Sequence, residues 1–287
     1  MKIGIIGLDS SHAVEFTKIL NDTKNPFHIK GANVTSVLPL SNPKIALSYQ
    51  RIEEFTNEIR KFKNIHFKNY LQEVAEESDA ILLTSVDAKN RMNVFREICK
   101  YEKPIFIDKP LALSEEEGKE IFLLGENFNT PIMSTSALRY DSVLTDLLNQ
   151  YNNQLQGIYL HGPLPFEESL PGYYWYGIHM IEILITVFGT KIKNVSVERN
   201  DKCEIVVVQW QDGRFATVRG DRENYQKFGG LLHTIEETIP FDIGNGERPF
   251  YVSLLENITQ FFHSRLSPIP KEETLAVLHV IDEVNKV

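Results

Sequence analysis

The sequence predicts an α/β chain: a doubly wound parallel sheet in its first part, then an α+β domain built on a mainly antiparallel sheet. Three observations carry that expectation. Short apolar runs alternate with amphipathic helical patterns over the first 120 residues, which implies right-handed crossovers between parallel strands. From Gln156 onward strand-like runs follow one another, and Asp212-Gly213 stands between two of them as a hairpin signal, because both residues tolerate positive φ. The first apolar run ends in glycine and passes at once into a helical pattern, the strand, tight turn and helix with which Rossmann-type nucleotide-binding domains open.

Taken in order, Lys2 to Leu8 reads as the first strand, followed by a helix with Ala13, Phe16, Ile19 and Leu20 on one face. Val34 to Leu38, Ala80 to Thr84 and Pro104 to Ile107 are further apolar strands. Between them lie helical patterns from Pro43 to Lys61, carrying Ile52, Phe55 and Ile59, and from Lys89 to Tyr101, carrying Met92, Phe95 and Ile98. Ser114 with Glu117 forms a capping-box pattern for a helix to Asn127, and Ile132 to Ser136 reads as one more strand. The second half offers strands Gly157 to Leu160, Asn194 to Glu198, Glu204 to Trp210, Arg214 to Arg219 and Leu231 to Thr238. Helices Tyr251 to Phe262 and Lys271 to Val284 close the chain, separated by Pro268 and Pro270. The change of pattern divides the chain into a Rossmann-type domain, residues 1–120, and an α+β domain, residues 121–287.

Composition narrows the function. At 287 residues and 42% hydrophobic content the chain can bury a sizeable core. Thirty Lys and Arg stand against thirty-nine Asp and Glu, a net charge of −9 with no basic cluster, so no nucleic-acid partner is expected. Cys99 and Cys203 read as reduced structural thiols, and the apolar N-terminus is too brief for a secretory signal; both suit the cytoplasm. The stretch from Tyr173 to Gly189 is seventeen residues long and holds His179 and Glu182, so a buried helix is expected rather than a membrane span. His161 and the set Asp9, His12 and His179 lack metal-ligand spacing, so no metal is expected. Neither a Gly-x-Ser-x-Gly elbow nor a P-loop occurs to anchor a hydrolase or phosphoryl-transfer reading.

The turn after the first strand is Gly7-Leu8-Asp9-Ser10-Ser11-His12, where dinucleotide sites carry Gly-x-Gly-x-x-Gly. Only Gly7 keeps the pattern. Asp9 stands where the backbone approaches a pyrophosphate and would repel it unless turned away; His12 stands where helix and strand pack tightly. Ser10 and Ser11 can donate to phosphate, while the alternative is a loop that only caps the helix, with Asp9 or Ser10 as N-cap. The second strand ends in Leu38-Pro39-Leu40-Ser41-Asn42, with no acid for a ribose diol. Ser41 and Lys44 could take a 2′-phosphate, which favours NADP over NAD; the other reading is a plain turn and helix start.

Two later segments carry candidate chemistry. Lys109, in Asp108-Lys109-Pro110, follows a parallel strand at the sheet edge where open α/β sheets bind ligands. His179 and Glu182 share a helix face within an aromatic run, so His179 is either a core histidine satisfied by Glu182 or a general acid/base. Together, Asp108-Lys109-Pro110 and Trp175-x-Gly177-x-His179-x-x-Glu182 resemble the Glu-Lys-Pro and Asp-x-Gly-x-His-x-x-Asp motifs of the glucose–fructose oxidoreductase/inositol dehydrogenase (Gfo/Idh/MocA) family, and the order of elements agrees along nearly the whole chain.

The resemblance implies an NAD(P)-dependent dehydrogenase acting on a hydroxyl of a sugar, inositol or related small polar metabolite. Lys109 would lie near the nicotinamide and reacting oxygen, with His179 as the acid/base. Thr84 and Ser85 match a cofactor-touching Thr-Pro pair. Trp175 and Tyr176 offer faces to a sugar ring, and Arg139 and Tyr140 are placed at the substrate. A homo-oligomer is expected by the same analogy, through the exposed face of the second domain's sheet. Trp175 departs from the family's aspartate. With Asp9 and His12 it motivates an alternative, a redox-inactive relative that binds a metabolite or regulates; a lyase or isomerase retaining the cofactor is the third reading.

Overall fold

A computed structural model describes residues 1–151, 154–165, 167–223 and 227–286. The chain divides into two compact units. The first holds residues 1–112, 116–134 and 254–269; the second holds 113–115, 135–253 and 270–287, the last residue lying outside the described ones.

In the first unit six strands, β1 (Lys2–Ile6), β2 (Asn33–Leu38), β3 (His66–Phe67), β4 (Ala80–Leu83), β5 (Ile105–Ile107) and β6 (Ile132–Met133), form one sheet in the order β3-β2-β1-β4-β5-β6. Every pairing is parallel. The connecting helices are α1 (Ser11–Asn21), α2 (Ala46–Arg60), α3 (Leu71–Glu77), α4 (Arg91–Ile98) and α5 (Glu115–Asn127). Ile3, Ile5 and Ile6 of β1 and all four residues of β4 are fully buried, the unbroken apolar run of a sheet covered on both faces. Sequence order reverses about β1, whose neighbours are β2 and β4, so the ends of β1 and β4 form the switch point at which open α/β sheets take ligands.

Several elements differ from the sequence reading. β3 and α3 are too short to stand out by periodicity; α3 is set by Glu73, whose carboxylate accepts the amides of Asn69 and Tyr70, both at 3.0 Å. The helix read from Pro43 begins at Ala46, because the Asn42 side chain accepts the Lys44 amide at 3.0 Å and holds a turn there. The 120/121 boundary falls inside α5, and β6 extends the parallel sheet beyond it. Helix α8 (Phe250–Ser264) contributes Leu254 onward to the first unit, a chain return that local patterning does not reveal.

The second unit is built on β7 (Leu155–Pro163), β8 (Ile192–Arg199), β9 (Cys203–Trp210), β10 (Phe215–Asp221), β11 (Gly229–Thr234) and β12 (Thr238–Asp242), in the order β12-β11-β7-β10-β9-β8. The sheet is antiparallel except for β7 beside β10, a pair far enough apart in sequence for a crossover. Leu231 to Thr238, read as one strand, is two: Thr234 Oγ1 accepts the amides of Glu236 and Glu237 and turns the chain between β11 and β12. Besides these strands the unit contains α6 (Ser142–Tyr151), α7 (Gly177–Phe188) and α9 (Lys271–Lys286). α7 buries Ile178, Met180, Ile181, Ile183, Leu184 and Ile185, so the apolar stretch is a core helix. No helix among the described residues is long and apolar enough to cross a membrane.

One glycine governs the switch point. Gly7 has φ +95°, and a Cβ there would lie 2.3 Å from the backbone nitrogen of Ser85. Gly31 has a similar φ of +87° with nothing within 4 Å of its would-be Cβ, so it isolates the backbone cost. Gly7→Ala is expected to lower urea-unfolding stability by about 2 kcal/mol more than Gly31→Ala. Equal losses would mean that the contact of the two loops carries no weight.

Candidate functional site

The turn that links β1 to α1 is held by polar groups facing inward. The Gly7 carbonyl accepts the Thr84 hydroxyl at 2.6 Å, and the Gly7 amide donates to Leu38 at 3.0 Å. Ser10 is the N-cap of α1: its backbone is extended and its Oγ accepts the His12 amide at 3.2 Å. Asp9 is fully buried. Its Oδ1 accepts the Val86 amide at 3.1 Å and its Oδ2 the Ser48 hydroxyl at 2.6 Å, while Ser48 Oγ accepts the Asn42 amide at 2.9 Å. Burial raises the Asp9 pKa, opposed by these donors and by the charge of Arg91.

His12 is buried as well, its ring stacked on Phe16 at 5.4 Å and its Nδ1 2.6 Å from Asp108 Oδ2. The other Asp108 oxygen accepts the Lys109 amide at 2.8 Å. Burial pushes the Asp108 carboxyl up, but the charges of His12, Lys109 and Arg91 outweigh it and hold the group below the usual carboxylate range. Arg91 donates to the carbonyls of Asp108 and, at 2.8 Å, Ser85. Burial lowers its pKa to about 10 although Asp108, Asp9, Asp87 and Glu117 all raise it. Asp87 Oδ2 accepts Asn42 Nδ2 at 2.8 Å. Asp87 Oδ1 and Arg91 Nε are buried with no hydrogen-bond partner among the described residues.

Gly7, Asp9, Ser10, His12, Thr84 and Ser85 are thus brought together at the switch point, all of them buried, while Ser11, the first residue of α1, is exposed. Ser41 is half-buried after β2, and Lys109 is half-buried beside Asp108. Asp87, Arg91, Ser48 and Asn42 complete the cluster. Sequence reasoning missed them because each stands in a loop or first helical turn where polar residues are ordinary.

The second unit holds the other candidates. Ile132 to Ser136 is a strand only at its first two residues; Ser136 instead caps a 3-10 turn over Ala137–Tyr140, accepting the Leu138 amide at 3.1 Å. Ser136 Oγ also lies 2.6 Å from His179 Nδ1. Glu182 is the residue behind this pair. Its carboxylate accepts the Ser136 amide at 2.8 Å and the Thr135 hydroxyl, and lies 3.6 Å from Arg139. Burial raises the Glu182 pKa, opposed by Arg139, Thr135 and the Ser136 amide. His179 is therefore anchored by Ser136, with Glu182 supporting the serine's backbone. Arg139 is shared between Glu182 and Glu273. Burial pushes the Tyr140 phenol pKa up, and its hydroxyl has no hydrogen-bond partner among the described residues.

Aromatic rings surround the imidazole. Tyr176 and Phe228 stand edge-on to His179, at 5.9 and 5.6 Å, and stack on each other at 6.2 Å; Trp175 meets Tyr176 at 5.3 Å. Phe228 was not legible as a site residue. Its trace in the sequence is Gly162, where a Cβ would lie 2.4 Å from the Phe228 ring. Among the described residues no group of three or more His, Cys, Asp or Glu could hold a metal ion.

No protein-family model matches the sequence. Sequence comparison with curated proteins gives no match either. Solved structures do match. A probable dehydrogenase from Thermotoga maritima is similar at TM-score 0.72 and 15% identity, over 99% of this chain and 97% of that one. An oxidoreductase from Agrobacterium radiobacter, in complex with NAD+, L-tartaric acid and magnesium, gives 0.73 and 13% over 98% and 94%. A UDP-N-acetylglucosamine 3-dehydrogenase from Acidithiobacillus ferrooxidans gives 0.76 and 12% over 100% and 96%. The chain shares their fold.

Asp108 allows a test of the buried pair. Asp108→Asn is expected to cost about 3 kcal/mol at neutral pH, because it leaves the buried His12 without its carboxylate partner. The folded pKa of Asp108 is depressed, so this contribution is fully present above the ordinary carboxylate value of 3.8 and fades as pH falls through the lower folded value. Urea unfolding of both proteins across that range should show the difference shrinking below about pH 4; a difference that grows on acidification would contradict it.

Proposed function

We propose that this chain is an oxidoreductase that uses a nicotinamide dinucleotide to oxidise or reduce a hydroxyl-bearing carbon of a small polar metabolite of the sugar or inositol class. One observation carries the reading: the polar side chains that replace the glycines of the first turn fold inward. Asp9 is the residue whose charge would oppose a diphosphate, and its carboxylate is fully buried on Ser48 and Val86. His12 is taken up by Asp108. What remains outward is the start of α1, capped by Ser10 with Ser11 exposed, and helix N-termini favour anions. The residues present therefore fit the group. The likeness of fold to dehydrogenases, one of them in complex with NAD+ and another named for a nucleotide sugar, supports the same reading, as does the resemblance to the Gfo/Idh/MocA motifs.

Bound nicotinamide supplies the hydride donor or acceptor. The backbone at Ser10 and Ser11 would hold the diphosphate, and the side chains of Asp9, His12 and Thr84 would serve by fixing that backbone. Lys109, anchored through its amide to Asp108, offers positive charge to a developing alkoxide. His179 exchanges the hydroxyl proton. Ser136 Oγ can either donate to or accept from His179 Nδ1, so the ring keeps its place in both protonation states. Trp175 and Tyr176 offer apolar faces to a sugar ring. Arg139, its charge balanced by Glu182 and Glu273, positions Glu182 rather than binding an acidic substrate group. The odd-numbered, half-exposed face of the second unit's sheet, with Ile205, Phe215 and Leu231, suits a homo-oligomer.

A redox-inactive, metabolite-binding relative is the second reading, favoured by Trp175 in place of a carboxylate. Activity decides between them. With dinucleotide present, a panel of sugars and inositols should include one that produces reduced-nicotinamide fluorescence, and His179→Ala or Lys109→Ala should each lower kcat by about a hundredfold or more. Dinucleotide binding without turnover on any polyol would favour the second reading. Full activity of His179→Ala would remove that residue's assigned role.

A further inference from the structure

Asp87 lies between β4 and α4, is 8% exposed, and uses only one carboxylate oxygen. Oδ2 accepts Asn42 Nδ2 at 2.8 Å; Oδ1 is buried without a partner among the described residues. A buried acceptor left unpaired is costly, and native folds rarely keep one unless a water or ligand completes it.

The place of that oxygen is informative. Asn42 belongs to the loop after β2, where dinucleotide folds recognise the adenosine ribose, normally through an acid at the end of that strand. Here the strand ends in Leu38 and the loop has no acid through Asn42. The loop is fixed instead from the other side of β1. Asn42 donates its amide to Ser48 and its side-chain nitrogen to Asp87, and its Oδ1 accepts the Lys44 amide at 3.0 Å. A carboxylate has thus been brought to the ribose-recognising loop by a different strand.

Local charge points the same way. Arg91 is the buried cation of the cluster, and it interacts with Asp108, Asp9, Asp87 and Glu117 while donating to the carbonyls of Ser85 and Asp108. A 2′-phosphate would add nearly two negative charges to a neighbourhood rich in carboxylates. Lys44, which suggested NADP in the sequence, is exposed. A free 2′-hydroxyl, by contrast, is a donor that the unpaired Asp87 Oδ1 can accept once the Asn42 loop yields to uncover that oxygen, which is buried in the unliganded fold.

We infer that Asp87, reaching the loop after β2 from the β4 side, selects the unphosphorylated adenosine ribose, so that the chain takes NAD rather than NADP. This rests on the dinucleotide reading above.

The test is equilibrium binding by calorimetry, without turnover, using NAD, NADP and the 2′-deoxyadenosine analogue of NAD. The unaltered protein should bind NAD about tenfold or more tighter than NADP, and the deoxy analogue about tenfold more weakly than NAD. Asp87→Asn should narrow the NAD/NADP ratio to about threefold or less. NADP bound as tightly as NAD, an unaffected deoxy analogue, or a ratio unchanged in folded Asp87→Asn would each overturn the inference while leaving the dinucleotide reading in place. If Asp87→Asn does not fold, the deoxy comparison on the unaltered protein decides. Binding of none of the three would overturn the dinucleotide reading, and the inference with it.

Discussion

A single buried carboxylate organises the switch-point edge of the first unit's sheet. Asp9 sits in the turn after β1 and is reached from both neighbours of that strand: from the β2 side by the Ser48 hydroxyl, and from the β4 side by the Val86 amide. Both bonds aim the charge into the fold. Gly7 makes this possible, because only a residue without Cβ lets the turn close on Ser85 and adopt its left-handed backbone. Standard dinucleotide turns reach the same compactness by having no side chains at these positions. This chain fills them and then satisfies them.

The substitutions are consequently coupled rather than independent losses. His12 is tolerable among buried groups because the Asp108 carboxylate accepts a hydrogen bond from its ring, and Asp108 is tolerable because His12, Lys109 and Arg91 surround it. Arg91 in turn holds the carbonyls of Ser85 and Asp108, joining the ends of β4 and β5. A buried charge is stable only in such company. The second unit repeats the logic around Glu182, which gathers Thr135, the Ser136 amide and Arg139, and through Ser136 fixes the imidazole of His179.

Much of this was legible in the sequence, for definite reasons. The apolar runs of β1 and β4 and the long amphipathic helices carry strong periodic signals, and Gly7 followed by a helical pattern marks the opening turn. Lys109 and His179 stood out because charged or titratable residues beside a strand end or within an apolar run need a reason. What the sequence hid was partnership. Nothing local tells that Asp9 meets Ser48, thirty-nine residues on, or that His12 meets Asp108 at a separation of ninety-six. Of the two readings of His179, the one in which Glu182 satisfies it followed helical spacing, yet the ring meets Ser136, placed there by a capped turn. β3 and α3 escaped because two strand residues and seven helical ones carry too little pattern.

As proposed above, the substituted turn presents a helix start to phosphate while its charged side chains stay inside. Amide-resolved NMR of the nitrogen-15-labelled protein during addition of NAD tests this most directly. The largest shifts are expected at the amides of Ser10 and Ser11, with the His12 ring resonances remaining those of the Asp108-bound imidazole. Saturable NAD binding that leaves the Ser10 and Ser11 amides unmoved, or that releases His12 from Asp108, would contradict it.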